Sequence, residues 1–183
     1  MKKPSSKNKV KAKPFSKLPE WKQRVEIAKD VILQIKSNRF KPEQGTYLNI
    51  YSTDKGDEKE NVWDMQANTA IKQKLAYCNV CAKGAMFMSH VMKTNHCTLL
   101  DADSARQVEY VDRLTMFSQG QLDTIECAFE NGIVHDYEGI LKHKGDRTTL
   151  GERARLFCES PVATIRLIKI MQNIIKNKGE FKP

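Results

Sequence analysis

The chain has 183 residues, of which 40% are hydrophobic and 29% charged, with a formal net charge of +9. That length suits one domain with a real core and is short for two. No apolar run reaches the ~18 residues of a membrane span, and the basic N-terminus lacks the apolar stretch of a secretory signal. The five cysteines form an odd set without regular spacing, which fits reduced thiols in a cytoplasmic protein better than a disulfide framework.

The charge is unevenly placed. Residues 1–19 hold seven lysines (Lys2, Lys3, Lys7, Lys9, Lys11, Lys13 and Lys17) and no acid. Removing those seven from 31 basic residues leaves 24 against 22 acidic ones, so the remaining chain is nearly neutral at +2. Such an arm, with Pro4 and Pro14 among lysines and serines, buries too little apolar surface to fold alone. A single-sign basic block of this kind points to a polyanionic partner, the bland alternative being a solubilising tail. The expected organisation is a disordered arm over 1–19 and one mainly α domain over 20–183.

In chain order, the first helix is expected over 20–37, with Trp21, Val25, Ala28, Ile32 and Ile35 on one face. Pro42 and Gly45 then mark a turn, and Tyr47, Ile50 and Tyr51 a short strand. Its partner is expected at Asn61–Met65, across the charged loop 54–60, to which no role is given. The most conspicuous stretch, Ile71–Asn95, reads as one long core helix capped by Asn68 or Thr69. Ile71, Leu75, Cys78, Ala82, Ala85 and Val91 form its buried stripe, and small residues as far as Ser89 would admit a close neighbour.

Further helices are expected after a capping box at Ser104–Gln107, and after a second at Ser118–Gln121 with Phe117 and Leu122 as its hydrophobic staple. A third box at Thr149–Glu152 opens a short helix through Phe157. Ser160 and Pro161 open the last helix, which ends at Gly179. The sum is about six helices with one β-hairpin.

Three kinds of chemistry deserve weighing. Cys78-x2-Cys81-x2-Gly84 has the form of a zinc knuckle, with His96 and Cys97 as the second ligand pair. Against it, the first pair sits inside a helical pattern and the second lacks knuckle spacing, so the thiols read as small buried hydrophobes and no metal or cofactor is expected. A cysteine nucleophile would need a histidine in a recognisable context, and none is present. Asp101 and Asp103 read as acids at a helix start rather than a calcium loop. The remaining signal is basic: Lys142, Lys144 and Arg147 in an irregular segment, and Arg166, Lys169 and Lys176, with Asn173, along one face of the last helix.

The motif Cys78-x2-Cys81-Ala82-x-Gly84-Ala85-x-Phe87, the phrase AKDVILQIKSNRFKPEQGTYL and the ending MQNIIKNKGEFKP resemble a loosely defined group of small bacteriophage and mobile-element accessory proteins. The resemblance covers most of residues 24–183. It implies no fixed activity and carries over no site residue, but it implies a non-catalytic binder that redirects host machinery, including anti-CRISPR-like inhibitors of nucleic-acid-guided defence.

The leading expectation is a non-enzymatic nucleic-acid-binding accessory protein, RNA preferred, whose partner is RNA or a ribonucleoprotein, with neither membrane nor small-molecule substrate. The first alternative is a module that sterically blocks a host protein through the apolar girth of its last helix. The second is a zinc- or cysteine-dependent enzyme using Cys78, Cys81, His96 and Cys97.

Overall fold

Three short strands share one feature, alternate apolar residues, and they assemble the element around which the helices pack. A computed structural model describes residues 13–53, 62–94, 97–105, 113–130, 153–158 and 160–183. Strands β1 (Phe40–Pro42), β2 (Leu48–Ser52) and β3 (Ala76–Val80) form a sheet in the order β1-β3-β2. The central β3 runs parallel to β1 and antiparallel to β2. Phe40, Leu48, Ile50, Ala76, Cys78 and Val80 are buried on its inner side. This is the inside–outside alternation of a sheet covered on one face.

The helices are α1 (Glu20–Lys36), α2 (Ala67–Lys72), α3 (Ala82–Thr94), α4 (Leu99–Ser104), α5 (Gln119–Glu130) and α6 (Ala163–Lys176). The architecture is mainly helical, as expected. Helix α3 is buried along almost its whole length, between α1, α5 and the sheet. The small residues of α3 serve the close packing they suggested. Ser89 Oγ donates to Asp30 Oδ2 of α1 at 2.9 Å and lies 3.3 Å from the carbonyl of Ile27.

Three expectations need correction. The stretch Ile71–Asn95 is not one helix. It divides into the end of α2, then β3, then α3, with Lys74 at a φ of +62° reversing the chain between α2 and β3. The supposed stripe mixed two periods: Ala76, Cys78 and Val80 are buried at strand spacing, whereas Ala82, Ala85 and Val91 belong to a helix. The partner of β2 is therefore β3 and not Asn61–Met65. Val62–Asp64 is instead a 3-10 turn, and β2 pairs along its length with β3. The sheet thus has three strands where a hairpin was expected.

Helix ends show the remaining differences. Helix α4 opens at Thr98, six residues before the box read at Ser104, and the helix expected after that box falls largely outside the described residues. Thr98 Oγ1 accepts from Asp101 N–H, while the Asp101 carboxylate accepts from Thr98 N–H. Ser104 instead closes α4. The box at Ser118 is present, with Ser118 and Gln121 bonded reciprocally and Phe117 and Leu122 buried. Helix α6 stops at Lys176, and the chain turns through Lys178 and Gly179, both at positive φ. The loop 54–60, the box at 149–152 and the segment that follows Ala105 lie outside the described residues.

Candidate nucleic-acid interface

The outer side of the sheet carries the other half of each strand's alternation: Lys41 on β1, Asn49 and Tyr51 on β2, and Tyr77 and Asn79 on β3. Register decides their grouping. Tyr51 lies opposite Tyr77, and Asn79 stands between Asn49 and Lys41. The Tyr51 and Tyr77 rings stack with centroids 5.1 Å apart and planes at 17°. Lys41 Nζ sits 3.7 Å from the centre of the Tyr77 ring. A cation and two rings thus run across the three strands in the order Lys41, Tyr77, Tyr51, an arrangement held by cation–π attraction and ring stacking.

The described residues around the end of the sheet that carries the tyrosines are basic, while the loop 54–60 that follows β2 adds four acids and two lysines in sequence. Arg39 precedes β1 and donates through Nη2 to the Lys72 carbonyl at 3.2 Å, tying β1 to the end of α2. Lys72 and Lys74 are exposed in the segment that leads into β3. Glu43 is at the other end, where it accepts from Asn79 Nδ2 at 2.7 Å. The sequence reading missed this group because it placed Tyr77 on a helix. The usable signal was the alternation in LNIYS and AYCNV, which turns Tyr51 and Tyr77 to one side once they pair.

The residues expected to bind polyanions are distributed differently. Lys2, Lys3, Lys7, Lys9, Lys11, Lys142, Lys144 and Arg147 lie outside the described residues, as does His96. Lys13 and Lys17 are exposed around a 3-10 turn at Phe15–Lys17. There the arm is already docked, since the Phe15 ring meets that of His90 edge-on at 5.8 Å. Lys169 and Lys176 are exposed on α6.

Arg166 is not part of that exposed face. It is 1% exposed, donating through Nε to the Phe129 carbonyl at 2.8 Å and through Nη1 to that of Ser160. A buried guanidinium with carbonyl partners locks α6 to the end of α5, a structural role that its spacing from Lys169 concealed. Asn173 is likewise engaged, bonding the Lys182 backbone through both ends of its amide. The exposed stripe of α6 is Ile165, Lys169, Gln172 and Lys176.

The chain matches no family model, no curated protein and no solved structure.

The thiols occupy the core. All five cysteines are buried and none forms a disulfide. Cys78 faces inward from the middle of β3, and burial raises its pKa far above the usual thiol range. Cys81 stands at the N-cap of α3. Its carbonyl accepts from Ala85 N–H at 3.0 Å, and its sulfur accepts from Gly84 N–H at 3.4 Å. A helix N-terminus ordinarily favours the thiolate. Burial outweighs that here and, with Glu126 and Glu130 adding repulsion, pushes the pKa up to about 12. A protonated, inaccessible thiol is not a nucleophile at neutral pH. Among the described residues no group of three or more histidines, cysteines and acids is placed to hold a metal.

This geometry separates two serine substitutions that sequence alone would treat alike. Cys81→Ser supplies a preferred N-cap oxygen to an N–H already in place, so its stability is expected within about 1 kcal/mol of wild type. Cys78→Ser buries a hydroxyl amid apolar neighbours and is expected to cost roughly 1–3 kcal/mol. Chemical denaturation of the two variants measures the contrast. Equal losses would show that the sulfur of Cys81 is not acting as the cap.

A second polar group lies inside. Lys83 is buried against Glu126, with Asp123 Oδ1 at 3.2 Å, joining the first turn of α3 to α5. Glu130 accepts from Gly45 N–H at 3.1 Å, and burial raises its pKa. Gln44 Nε2 donates to the Glu130 carbonyl at 3.0 Å, so the turn between β1 and β2 is held against the end of α5. These charges are spent on one another and on the backbone, which makes them structural fasteners.

Proposed function

We propose that this protein is a non-enzymatic nucleic-acid-binding protein that prefers RNA. The observation that carries the reading is the charge split: seven lysines and no acid in residues 1–19, against +2 over the rest. The basic, aromatic outer face of the sheet supports it, because single-strand binders combine cations that follow the backbone with rings that meet bases. The resemblance to phage accessory proteins extends the proposal to a host ribonucleoprotein as target, with inhibition of nucleic-acid-guided defence as the outcome. Among the described residues no helix is long and apolar enough to cross a membrane.

The alternative of a protein-blocking ridge drew on the apolar girth of α6. Most of that girth is covered: Leu167, Ile170, Met171 and Ile174 are buried, leaving Val162 and Ile165 as its exposed large apolar residues. Capture from a host lysate with and without nuclease separates the two readings, since a nucleic-acid target is lost on digestion.

The arm is tested by truncation. Because Phe15 is docked, the cut belongs before Lys13, removing Lys2, Lys3, Lys7, Lys9 and Lys11 while keeping the Phe15 contact with His90. Each engaged lysine contributes about 0.7 to the slope of log affinity against log salt on single strands. The truncated chain is expected to lose up to ~3 to 4 units of slope. An unchanged slope would reduce the arm to a solubilising tail.

A further inference from the structure

We propose that the outer face of the sheet is a stacking site for unpaired nucleobases, with Tyr51 as its open platform and Lys41 as a phosphate ligand. This deepens the nucleic-acid reading and rests on it. The Lys41–Tyr77–Tyr51 array has one occupied end and one open end. Tyr77 is enclosed, with Lys41 Nζ 3.7 Å from its ring centre and Tyr51 stacked beside it. Among the described residues the one ring stacked on Tyr51 is Tyr77; Tyr51 belongs to the edge strand of the sheet and is 39% exposed. That exposed ring face is where a planar group from outside the chain would extend the stack.

Charge narrows what that group belongs to. Among the described residues, Arg39, Lys41, Lys72 and Lys74 are within or beside the tyrosine-bearing end, and Glu43, at β1's far end, is held by Asn79. The acids Asp54, Asp57, Glu58 and Glu60 follow β2 in the loop 54–60, outside the described residues. A planar ligand attached to a polyanion fits both features, and a single-stranded nucleic acid is such a ligand. A duplex is not, because its bases are already stacked and paired. Lys41 has a long flexible stem and sits at a ring face, so it can move to a phosphate and release that face of Tyr77 to a second base. The site takes one or two bases by stacking, which makes it tolerant of sequence.

The test compares full-length wild type with Tyr51→Ala, Tyr51→Phe and Lys41→Gln by fluorescence anisotropy. The probes are an unstructured RNA of about 12 nucleotides, within the footprint of such sites, and a duplex of the same length. Tyr51→Ala is expected to weaken single-strand binding roughly tenfold with an unchanged salt slope, while Tyr51→Phe, which keeps the ring, binds as wild type. Lys41→Gln is expected to reduce the slope by about 0.7. Duplex affinity should be unaffected by Tyr51→Ala. Thermal unfolding of each variant identifies any loss that comes from the fold, and a Tyr51→Ala protein that melts earlier yet binds normally would make the tyrosine pair a cross-strand prop and overturn the proposal. Equal single-strand affinity of wild type and Tyr51→Ala would overturn the stacking site while leaving the nucleic-acid reading intact. Absence of binding to either probe by wild type would overturn both.

Discussion

Gly84→Ala is expected to abolish the native fold or to cost about 3 kcal/mol or more, the upper part of the range for overpacking a rigid core. A Cβ at position 84 would lie 1.7 Å from the Tyr47 carbonyl oxygen and 2.8 Å from its carbon. Both atoms are backbone, so no rotamer change relieves the clash. The same carbonyl accepts from Cys81 N–H at 3.1 Å, which fixes it at the start of α3. To admit a methyl group, α3 would have to leave the segment that opens β2, breaking that bond and the packing of Phe87 and Met88 behind it. Denaturant unfolding measures the loss, and a stability within about 1 kcal/mol of wild type would show that this junction is looser than described. The Cys-x-x-Gly signature thus has a steric explanation: a strand-to-helix junction with an N-capping sulfur, followed by the one residue small enough for the contact.

Lys83→Ala is the second large effect, expected to cost roughly 3–5 kcal/mol. The lysine is buried between α3 and α5 with Glu126 and Asp123 as partners, and its removal takes the Lys83 counter-charge away from buried Glu126. Replacing both ends, as Lys83→Met with Glu126→Leu, is expected to recover most of the loss. A buried pair exchanged for apolar groups of similar volume is often neutral or better. Equilibrium unfolding of the single and double variants decides this. A double variant as unstable as Lys83→Ala would mean that the charges organise the interface beyond cancelling each other.

The parts of the fold that sequence revealed are those with one periodicity and a local stop signal. Helix α1 lies at Glu20–Lys36 behind Pro19, although its buried face is centred on Ile27, Ala28 and Val31 and leaves Trp21 exposed. The Ser118 box and the turn at Gly45, with its φ of +71°, were also legible, because capping and left-handed backbone each need few residue types. Residues 71–81 were not. The reversal falls on Lys74, a residue type that carries no turn signal, and β3 is favoured by the two strands it pairs with rather than by its own five residues. Tertiary pairing overrode a plausible helical pattern.

The candidate site inherited that error. Tyr51 was read as a strand residue, but Tyr77 could not face it until β3 replaced the helix. Arg166 failed for the opposite reason: helical spacing identifies which residues share a face but not whether a second helix covers it. The Phe129 carbonyl that holds its guanidinium is 37 residues away, and that of Ser160 lies just ahead of the helix, so neither shows in the helical spacing that made it look exposed. Lys169 and Lys176, on the same helix, remain at the surface.

Binding of the full chain to an unstructured single-stranded RNA across a salt series bears most directly on the claim that this is a nucleic-acid-binding protein. The account predicts saturable binding at about 50 mM salt that weakens steeply by about 200 mM, with a matched duplex bound less tightly. No measurable binding at the lower salt concentration, or an affinity indifferent to salt, would contradict it.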